Sequence, residues 1–233
     1  MTHHRVLLMK RILSIHLALL ALILVTAPAQ AHRPVWGEEL GPIEVDDFSI
    51  SYAFYQELQS GEMDVFYFEA AAGDRLNAGI QIPDIPALRE YGVTMALFGP
   101  GLPDVDESLL PQEHPEGLGA LLVPSEISED FFEPFTQTNY WGRQRIEMSL
   151  PETGTYYLLV WQPENKAGKY VIDIGYKEEF SISDLFVFPI WWTRAQFFHE
   201  HTATVVSLYG LITIAAGWFI YRRVRSKRSP TTQ

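Results

Sequence analysis

Cysteine is absent from all 233 residues of this chain. The absence excludes disulfide bonds, thiol catalysis and the attachment of a lipid to a cysteine. An exported domain without disulfides must be held together by its hydrophobic core or by bound metal. The stretch over residues 32–201 is long enough to form one such core.

Lysine and arginine are scarce over the same stretch. Residues 32–201 contain all 29 Asp and Glu residues but only nine of the 17 Lys and Arg residues, which gives a formal charge of −20. Nucleic-acid binding depends on clustered positive charge, so we expect no nucleic-acid partner. The negative charge favours cations or basic partners, but solubility outside a cell also explains it.

The motifs of the common catalytic sites are missing as well. The chain has no Gly-Xaa-Ser-Xaa-Gly elbow, no His-Glu-Xaa-Xaa-His zinc helix and no glycine loop for phosphate. Neighbouring carboxylates such as Asp104 and Asp106 are expected in so acidic a chain and are typical of solvated loops. We therefore predict that the protein is not an enzyme. A membrane-tethered hydrolase that uses the acidic loop is an alternative.

The C-terminal end carries a long apolar run. Residues 202–221 are uncharged and match the length of about 20 residues that a helix needs to cross a hydrocarbon core. Basic residues follow at once, which favours a cytoplasmic location for this end. We predict a transmembrane helix over residues 202–221, a basic cytoplasmic tail over residues 222–233, and an extracytoplasmic location for the domain before them.

A second apolar run lies within residues 1–31. Arg5, Lys10 and Arg11 precede an apolar stretch over residues 12–25, and small residues end the segment. This order is typical of a secretory signal peptide. A second membrane anchor is the alternative, although the apolar stretch is short for a span. We expect a single-pass protein of the cell membrane.

Residues 32–180 show the period-two alternation of β-strands. The alternating segments are rich in aromatic and β-branched residues, and Gly, Pro, Asn and Asp bound them. They lie at residues 65–70, 77–82, 93–98, 145–150, 156–161 and 169–176. No segment keeps helical periodicity for more than two turns. We predict an all-β domain with an antiparallel, jelly-roll-like β-sandwich fold, with a closed barrel as the alternative.

Two segments break this alternation. Residues 99–140 contain six prolines and many acidic residues, which predicts a long loop with one short helix over residues 125–132. Residues 181–201 form an aromatic connector before the span. Aromatic rings settle at the headgroup level of a bilayer, so we expect a short interfacial piece, then a bend, then the span. Pro189 argues against a single helix that runs unbroken from Leu185 through the membrane. The predicted membrane-interface residues are Trp191, Trp192, Phe197, Phe198, Arg222 and Arg223.

Two sequence motifs resemble a known family. Residues 64–76 (DVFYFEAAAGDRL) combine an acidic start, an aromatic strand and an Ala-Gly-Asp turn, and residues 150–160 and 168–174 read as a closing hairpin. This pattern is similar to the bacterial pre-peptidase C-terminal domain family over residues 44–176. The resemblance implies a jelly-roll-like β-sandwich that acts as a non-catalytic accessory or binding module. No catalytic domain accompanies it here, unlike in most members of that family.

Histidines form the one plausible metal constellation. Signal cleavage would leave His32 at or near the new N-terminus, where the free amine and the imidazole can chelate copper together. Imidazole ligands suit copper and zinc, so His114, His199 and His201 are candidates to complete the site. A polar boundary beside the bilayer explains His199 and His201 equally simply. We predict no cofactor, with copper as the alternative and copper handling as the second function.

Aromatic and basic residues cluster at Tyr140, Trp141, Arg143 and Arg145. Binding surfaces often use these residue types, so the cluster is a candidate site for a glycan or for another membrane or surface protein. Strand packing is the alternative. Small residues in the span, at Ala203, Ser207, Gly210 and Gly217, also suggest a homodimer through the transmembrane helix. We therefore expect a non-catalytic, membrane-anchored binding or scaffolding protein.

Overall fold

The computed structural model describes residues 32–37, 41–179 and 181–227. The predicted signal peptide over residues 1–31 lies outside these described residues. Two β-sheets pack face to face and form a β-sandwich, which confirms the predicted fold class and excludes the closed barrel. The sheets are mixed and not purely antiparallel, because each has a parallel strand at one edge.

Eleven strands build the two sheets of the described chain. The six-stranded sheet has the order β1 (Arg33–Trp36), β3 (Tyr52–Leu58), β11 (Gly168–Ile174), β5 (Arg75–Pro83), β9 (Thr138–Ser149) and β8 (Phe131–Glu133). The five-stranded sheet has the order β2 (Ile43–Glu44), β4 (Met63–Ala70), β10 (Gly154–Trp161), β6 (Thr94–Gly99) and β7 (Gly119–Val123). The parallel pairs are β1 with β3 and β2 with β4.

The main hydrophobic core lies between the sheets. Alternate residues of each strand point inward, so Phe66 and Phe68 of β4 meet Ile80 of β5 and Ile172 of β11 there. Side chains of Phe66 and Ile172 are completely buried. Each Å² of apolar surface that is buried contributes about 25 cal/mol to stability. This burial supplies the stability that disulfide bonds do not.

The segments that alternate in sequence form strands in the structure, but strand β3 was not predicted from this alternation. Its residues from Ala53 to Gln56 are all buried, since one face meets the core and the other is covered by a helix. Period-two alternation therefore vanishes from this strand. The short helix predicted over residues 125–132 is wrong: residues 124–130 have no regular structure, and β8 follows and pairs with β9.

Two helices follow the sandwich. Helix α1 spans Asp184–Phe198 and helix α2 spans Thr202–Lys227. A bend before the span is present as predicted, but Pro189 lies inside α1 and does not form it. The chain turns instead at residues 199–201, where Glu200 adopts a φ of 63° and the amide of His201 donates to the carbonyl of Gln196 at 2.8 Å. This pattern is a Schellman cap with Glu200 at the position that glycine usually takes.

Helix α2 has the length of a membrane span. Among the described residues, Thr202–Arg225 is the one segment that is long and apolar enough to cross a bilayer. Its large side chains, such as Leu211, Ile214 and Trp218, are exposed, while Val205 near its start is buried. A helix that is apolar all round is typical of a membrane span or of the core of a large protein.

Candidate functional site

Helix α1 packs on the outer face of the six-stranded sheet. Ala195 and Phe198 of α1 meet Tyr55 of β3, Tyr140 of β9 and Val171 of β11. The rings of Tyr55 and Phe198 meet edge to face with centroids 5.1 Å apart. This contact forms a second, smaller core outside the sandwich. We name it the docking face: Ala53, Tyr55, Tyr140, Val171, Ala195, Phe198 and His199.

Polar contacts fix the same end of α1. Gln196 donates from Nε2 to the Thr136 carbonyl at 2.6 Å and is almost completely buried. Lys169 of β11 donates from Nζ to the Phe198 carbonyl at 3.3 Å and to a Glu200 carboxylate oxygen at 3.2 Å. The carbonyl groups at a helix C-terminus carry partial negative charge, so this lysine satisfies them.

Aromatic stacking extends the docking face to β1. The indole of Trp36 stacks on Tyr55 with centroids 4.1 Å apart, and the guanidinium of Arg194 lies 4.7 Å from the Trp36 ring. A cation over an aromatic face contributes about 0.5–1 kcal/mol. The predicted interface residue Phe198 is therefore placed on the sandwich, whereas Phe197 beside it is exposed.

His199 is buried in the docking face. Its ring meets the Tyr140 ring edge-on at 4.8 Å, and its Nδ1 lies 2.9 Å from the Ala195 carbonyl oxygen. Burial lowers the His199 pKa to about 4, and the nearby His201 and Lys169 act in the same direction. Burial also raises the pKa of Tyr55 to about 12. These groups are therefore neutral near pH 7.

The structure gives each candidate metal ligand a separate local partner. Nδ1 of His32 lies 2.5 Å from the Ser51 hydroxyl oxygen, and Nδ1 of His201 lies 3.0 Å from Gln196 Oε1. His114 stacks on Phe98 of β6. Over residues 32–37, 41–179 and 181–227, no three His, Cys, Asp or Glu side chains are grouped to hold a metal ion. Copper binding at a processed N-terminus stays a prediction.

The cluster predicted at Tyr140, Trp141, Arg143 and Arg145 does not share one surface. Tyr140 is buried on the docking face, with its hydroxyl 3.2 Å from that of Tyr55, while Trp141 packs against the main core. Adjacent residues of a strand point to opposite faces of the sheet, so the rings of Tyr140 and Trp141 lie on different faces although they are neighbours in sequence. The predicted joint binding surface is therefore not formed by these four side chains.

Arg143 has a structural role. Its buried guanidinium donates to the backbone carbonyls of Arg89 at 2.8 Å and Tyr91 at 3.2 Å. Burial lowers the pKa of Arg143, which stays far above neutral pH as for any arginine. The Arg143 guanidinium thus holds the connection between β5 and β6 against the sheet.

Arg145 forms an ion pair on the outer face of the six-stranded sheet. Its Nη1 lies 2.7 Å from Oδ2 of Asp173, and its Nη2 donates to Oδ1 at 3.0 Å. Asp173 is only 1% exposed, and Gln81 also donates to it at 3.3 Å. Gly79 lies between the two charges, and a Cβ there would clash with the guanidinium. Glycine is thus needed for this close approach.

An aromatic surface lies on the opposite side of the molecule, on the outer face of the five-stranded sheet. Tyr67 of β4 and Tyr157 of β10 are cross-strand neighbours with ring centroids 6.3 Å apart, and Trp161 is paired with Met63 farther along. All are partly exposed. We name this surface the aromatic ladder: Met63, Val65, Tyr67, Tyr157 and Trp161.

Carboxylates border the aromatic ladder. The hydroxyl of Tyr67 donates to Glu44 at 3.1 Å, and the hydroxyl of Thr155 donates to Glu69 at 2.5 Å. The hydrogen bond to Glu44 is the main cause that raises the pKa of Tyr67. Sequence reasoning missed this surface, although β10 carried a signal: TYYLLVW has apolar residues at both parities, so neither face of the strand is polar.

An acidic loop covers the other half of this outer face. Val105, Leu110 and Leu118 pack over buried Phe98 and Leu159. We name residues 100–118 the acidic loop, because they contain five carboxylates and neither lysine nor arginine. The carboxylates are Asp104, Asp106, Glu107, Glu113 and Glu116. The five-stranded face thus combines partly exposed aromatic rings with unbalanced negative charge.

No protein-family model matches the chain, and no curated protein matches its sequence. Solved structures show a distant likeness. A periplasmic inhibitor of g-type lysozyme from Salmonella Typhimurium shares 21% identity, with 58% of this chain and 98% of that chain covered and a TM-score of 0.34. The pre-peptidase C-terminal domain of a collagenase from Bacillus anthracis shares 14% identity, with 61% and 95% covered and a TM-score of 0.30.

A third similar structure is a surface-associated copper-binding protein from Methylomicrobium album BG8. It shares 8% identity, with 59% of this chain and 98% of that chain covered and a TM-score of 0.32. Likenesses at these TM-scores carry no weight for family or function. The similarity of residues 64–76 to the pre-peptidase C-terminal family therefore stays a resemblance.

Substitution of Gly79 tests the ion pair. We expect Gly79→Ala to displace the Arg145 guanidinium and to lower the free energy of unfolding by about 2 kcal/mol, less than for a fully buried pair because Arg145 is 41% exposed. In an Arg145→Ala background the same change should cost about 1 kcal/mol less, since the guanidinium is gone and only the contact of the new Cβ with Oδ1 of Asp173 remains. Denaturant unfolding of the four proteins measures the coupling. Additive costs would contradict this geometry.

The buried histidine predicts a pH dependence. The folded pKa of His199, about 4, lies below its ordinary value of 6.5, so the unfolded state takes up the proton first as the pH falls. Stability from this group is complete above about pH 6.5 and is lost towards pH 4, by on the order of 3 kcal/mol. His199→Phe should flatten the dependence and His201→Gln should keep it, as measured by urea unfolding in detergent between pH 4 and 7. Equal pH slopes for the wild type and His199→Phe would refute the assignment.

Proposed function

We propose that this chain is a non-catalytic, membrane-anchored extracytoplasmic binding protein. In this proposal the aromatic ladder and the acidic loop together bind a basic protein partner. The observation that carries it is the difference between the two outer sheet faces, of which one is covered by a helix and the other is partly exposed. Helix α1 occupies the outer face of the six-stranded sheet, so the partly exposed aromatic residues on the other sheet are the ones free to meet a partner.

The chemistry of this face favours a positively charged partner. The acidic loop contains five acidic residues and neither lysine nor arginine, and residues 32–201 carry a formal charge of −20. Such a field accelerates the approach of a basic surface. Tyr157 and Trp161 add aromatic anchors, which accept the stems and cations of arginine and lysine side chains.

The polar groups of the ladder support binding better than catalysis. Glu44 and Glu69 hydrogen-bond to the hydroxyls of Tyr67 and Thr155, which holds the rim in place. The ion pair of Arg145 and Asp173 lies on the outer face of the other sheet, away from the ladder. A rigid sheet that presents aromatic side chains is a typical arrangement for recognition.

The extracytoplasmic location rests on the ends of the chain. Helix α2 has the length and composition of a span. Basic residues at its end, among them Arg222 and Arg223, favour the cytoplasm for the tail, and the signal-like residues 1–31 favour export of the sandwich. In this arrangement the acidic domain is displayed outside the cytoplasm.

Photocrosslinking from the ladder tests the proposal. A photoreactive phenylalanine analogue is placed at Tyr157 or Trp161 of the full-length protein in its own cells, with exposed Ile127 as the control position. We expect a partner-specific crosslink from positions 157 and 161 and none from 127. The partner is then identified and purified, and its affinity for the full-length protein in nanodiscs is measured at two salt concentrations.

Affinity measurements then decide the proposal. Tyr157→Ala should weaken binding about 30-fold, as for an aromatic hot spot of about 2 kcal/mol, and higher salt should weaken it further. The matched control Tyr176→Ala, which removes an exposed tyrosine elsewhere, should leave the affinity unchanged. An acidic partner, or an affinity that Tyr157→Ala leaves unchanged, would overturn the proposal.

A further inference from the structure

The first half of α1 exposes several large apolar side chains. Leu185 is 64% exposed, Phe186 80% and Ile190 59%. Residues 185–193 contain no charged side chain. An exposed apolar surface of this extent is costly in water and marks a membrane or protein contact.

The charged residues at either end of this stretch are already engaged. The carboxylate of Asp184 accepts a hydrogen bond from the Ser181 amide at 2.7 Å, and the guanidinium of Arg194 lies over Trp36. Beyond Arg194 the helix is docked on the sandwich through Ala195. The helix therefore has two different halves. The first half is apolar and exposed at Leu185, Phe186 and Ile190, while Phe188 packs edge to face against Phe135. The second half is docked on the sheet through Ala195 and Phe198.

The exposed half lies beside the predicted span. The Thr193 hydroxyl is 2.8 Å from the Tyr209 hydroxyl, and the three-residue turn at 199–201 folds α1 back along α2. A cleft of about 310 Å³ separates the two helices next to the turn at residues 135–137. Its walls include Phe188 and Trp192 of α1. On the other side they include Leu208 and Ile212 of α2.

The depth of residues 188–192 in a bilayer follows from the part of α2 that they face. Leu208 and Ile212 lie inside the segment Thr202–Arg225 that has span character. Residues 188–192, which face them, must then lie at the same level as the first half of the span. Backbone hydrogen bonds inside a helix are satisfied internally, so such a segment can enter hydrocarbon.

We propose that residues 185–192 are embedded in the extracytoplasmic leaflet beside α2, and that acyl chains of the bilayer fill the cleft. The inference rests on the membrane anchoring in the proposed function. Lipid is the occupant because the exposed surface of α1 is continuous with the exposed apolar surface of α2, and because residues 185–193 carry no charge. The sandwich is then attached at two adjacent elements and held against the bilayer surface.

The absence of cysteine gives a clean test. Single cysteines are introduced into the full-length protein as Phe186→Cys, Ile190→Cys, Ile214→Cys and Ile127→Cys, and each is labelled with an environment-sensitive fluorophore. All four positions are well exposed, so the substitutions should not disturb folding. The proteins are reconstituted into phosphatidylcholine–phosphatidylglycerol vesicles with or without a nitroxide on the lipid acyl chain.

We expect the labels at positions 186, 190 and 214 to lose most of their fluorescence to the nitroxide lipid, and the label at 127 to keep it. Quenching at 214 but not at 186 and 190 would overturn the inference and leave the anchor intact. If sedimentation then shows a dimer, a second copy covers this surface instead. No quenching at any position would overturn the anchoring itself. Equal quenching at 127 would also overturn the inference, because the position of the label would then not matter.

Discussion

The burial of the C-terminal end of α1 against the six-stranded sheet is the contact on which the rest of the structure depends. Tyr55, Tyr140 and Val171 would be exposed on an outer sheet face without it, and Ala195 and Phe198 turn that face into a second core. Apolar burial drives this contact, and the hydrogen bond of Gln196 to the Thr136 carbonyl aligns it. The contact determines where α2 leaves the domain and which sheet face remains open.

The charged residues follow the same division. Buried charge on the six-stranded sheet is compensated, since Asp173 has Arg145 and Arg143 has backbone carbonyls. The acidic loop on the other side has no basic residue of its own. Charge without an internal partner is available for a partner from outside, because it remains solvated until a basic surface displaces the water. The acidic loop thus places unbalanced negative charge on the side away from α1.

Sequence reasoning predicted correctly the strands that have one solvent-exposed face and the long apolar helix. Strand β4 alternates clearly, and α2 is long and uniformly apolar, so both patterns point to one structure. Strand β3 is covered on both sides and lacks the alternation. Helix α1 is apolar nearly all round, so it lacks an amphipathic stripe and reads as a loose aromatic connector.

The candidate sites were harder to predict, because a site depends on side-chain direction across strands. Tyr140 and Trp141 are adjacent in sequence but point to opposite faces of β9, whereas Tyr67 and Tyr157 are distant in sequence and adjacent in space. Only the pairing of β4 with β10 brings the latter two together. His199 likewise became a buried packing group because the turn at residues 199–201 folds it against Tyr140.

A distance measurement between the sandwich and α2 tests the docking of α1 most directly. Spin labels on cysteines introduced at exposed Glu57 of β3 and Val206 of α2, in the full-length protein in nanodiscs, report this distance by pulsed electron spin resonance. The docked structure predicts one narrow distance, which broadens when Ala195→Glu places a charge in the buried contact. A distribution in the parent protein as broad as that of Ala195→Glu would show that the sandwich is not held by α1.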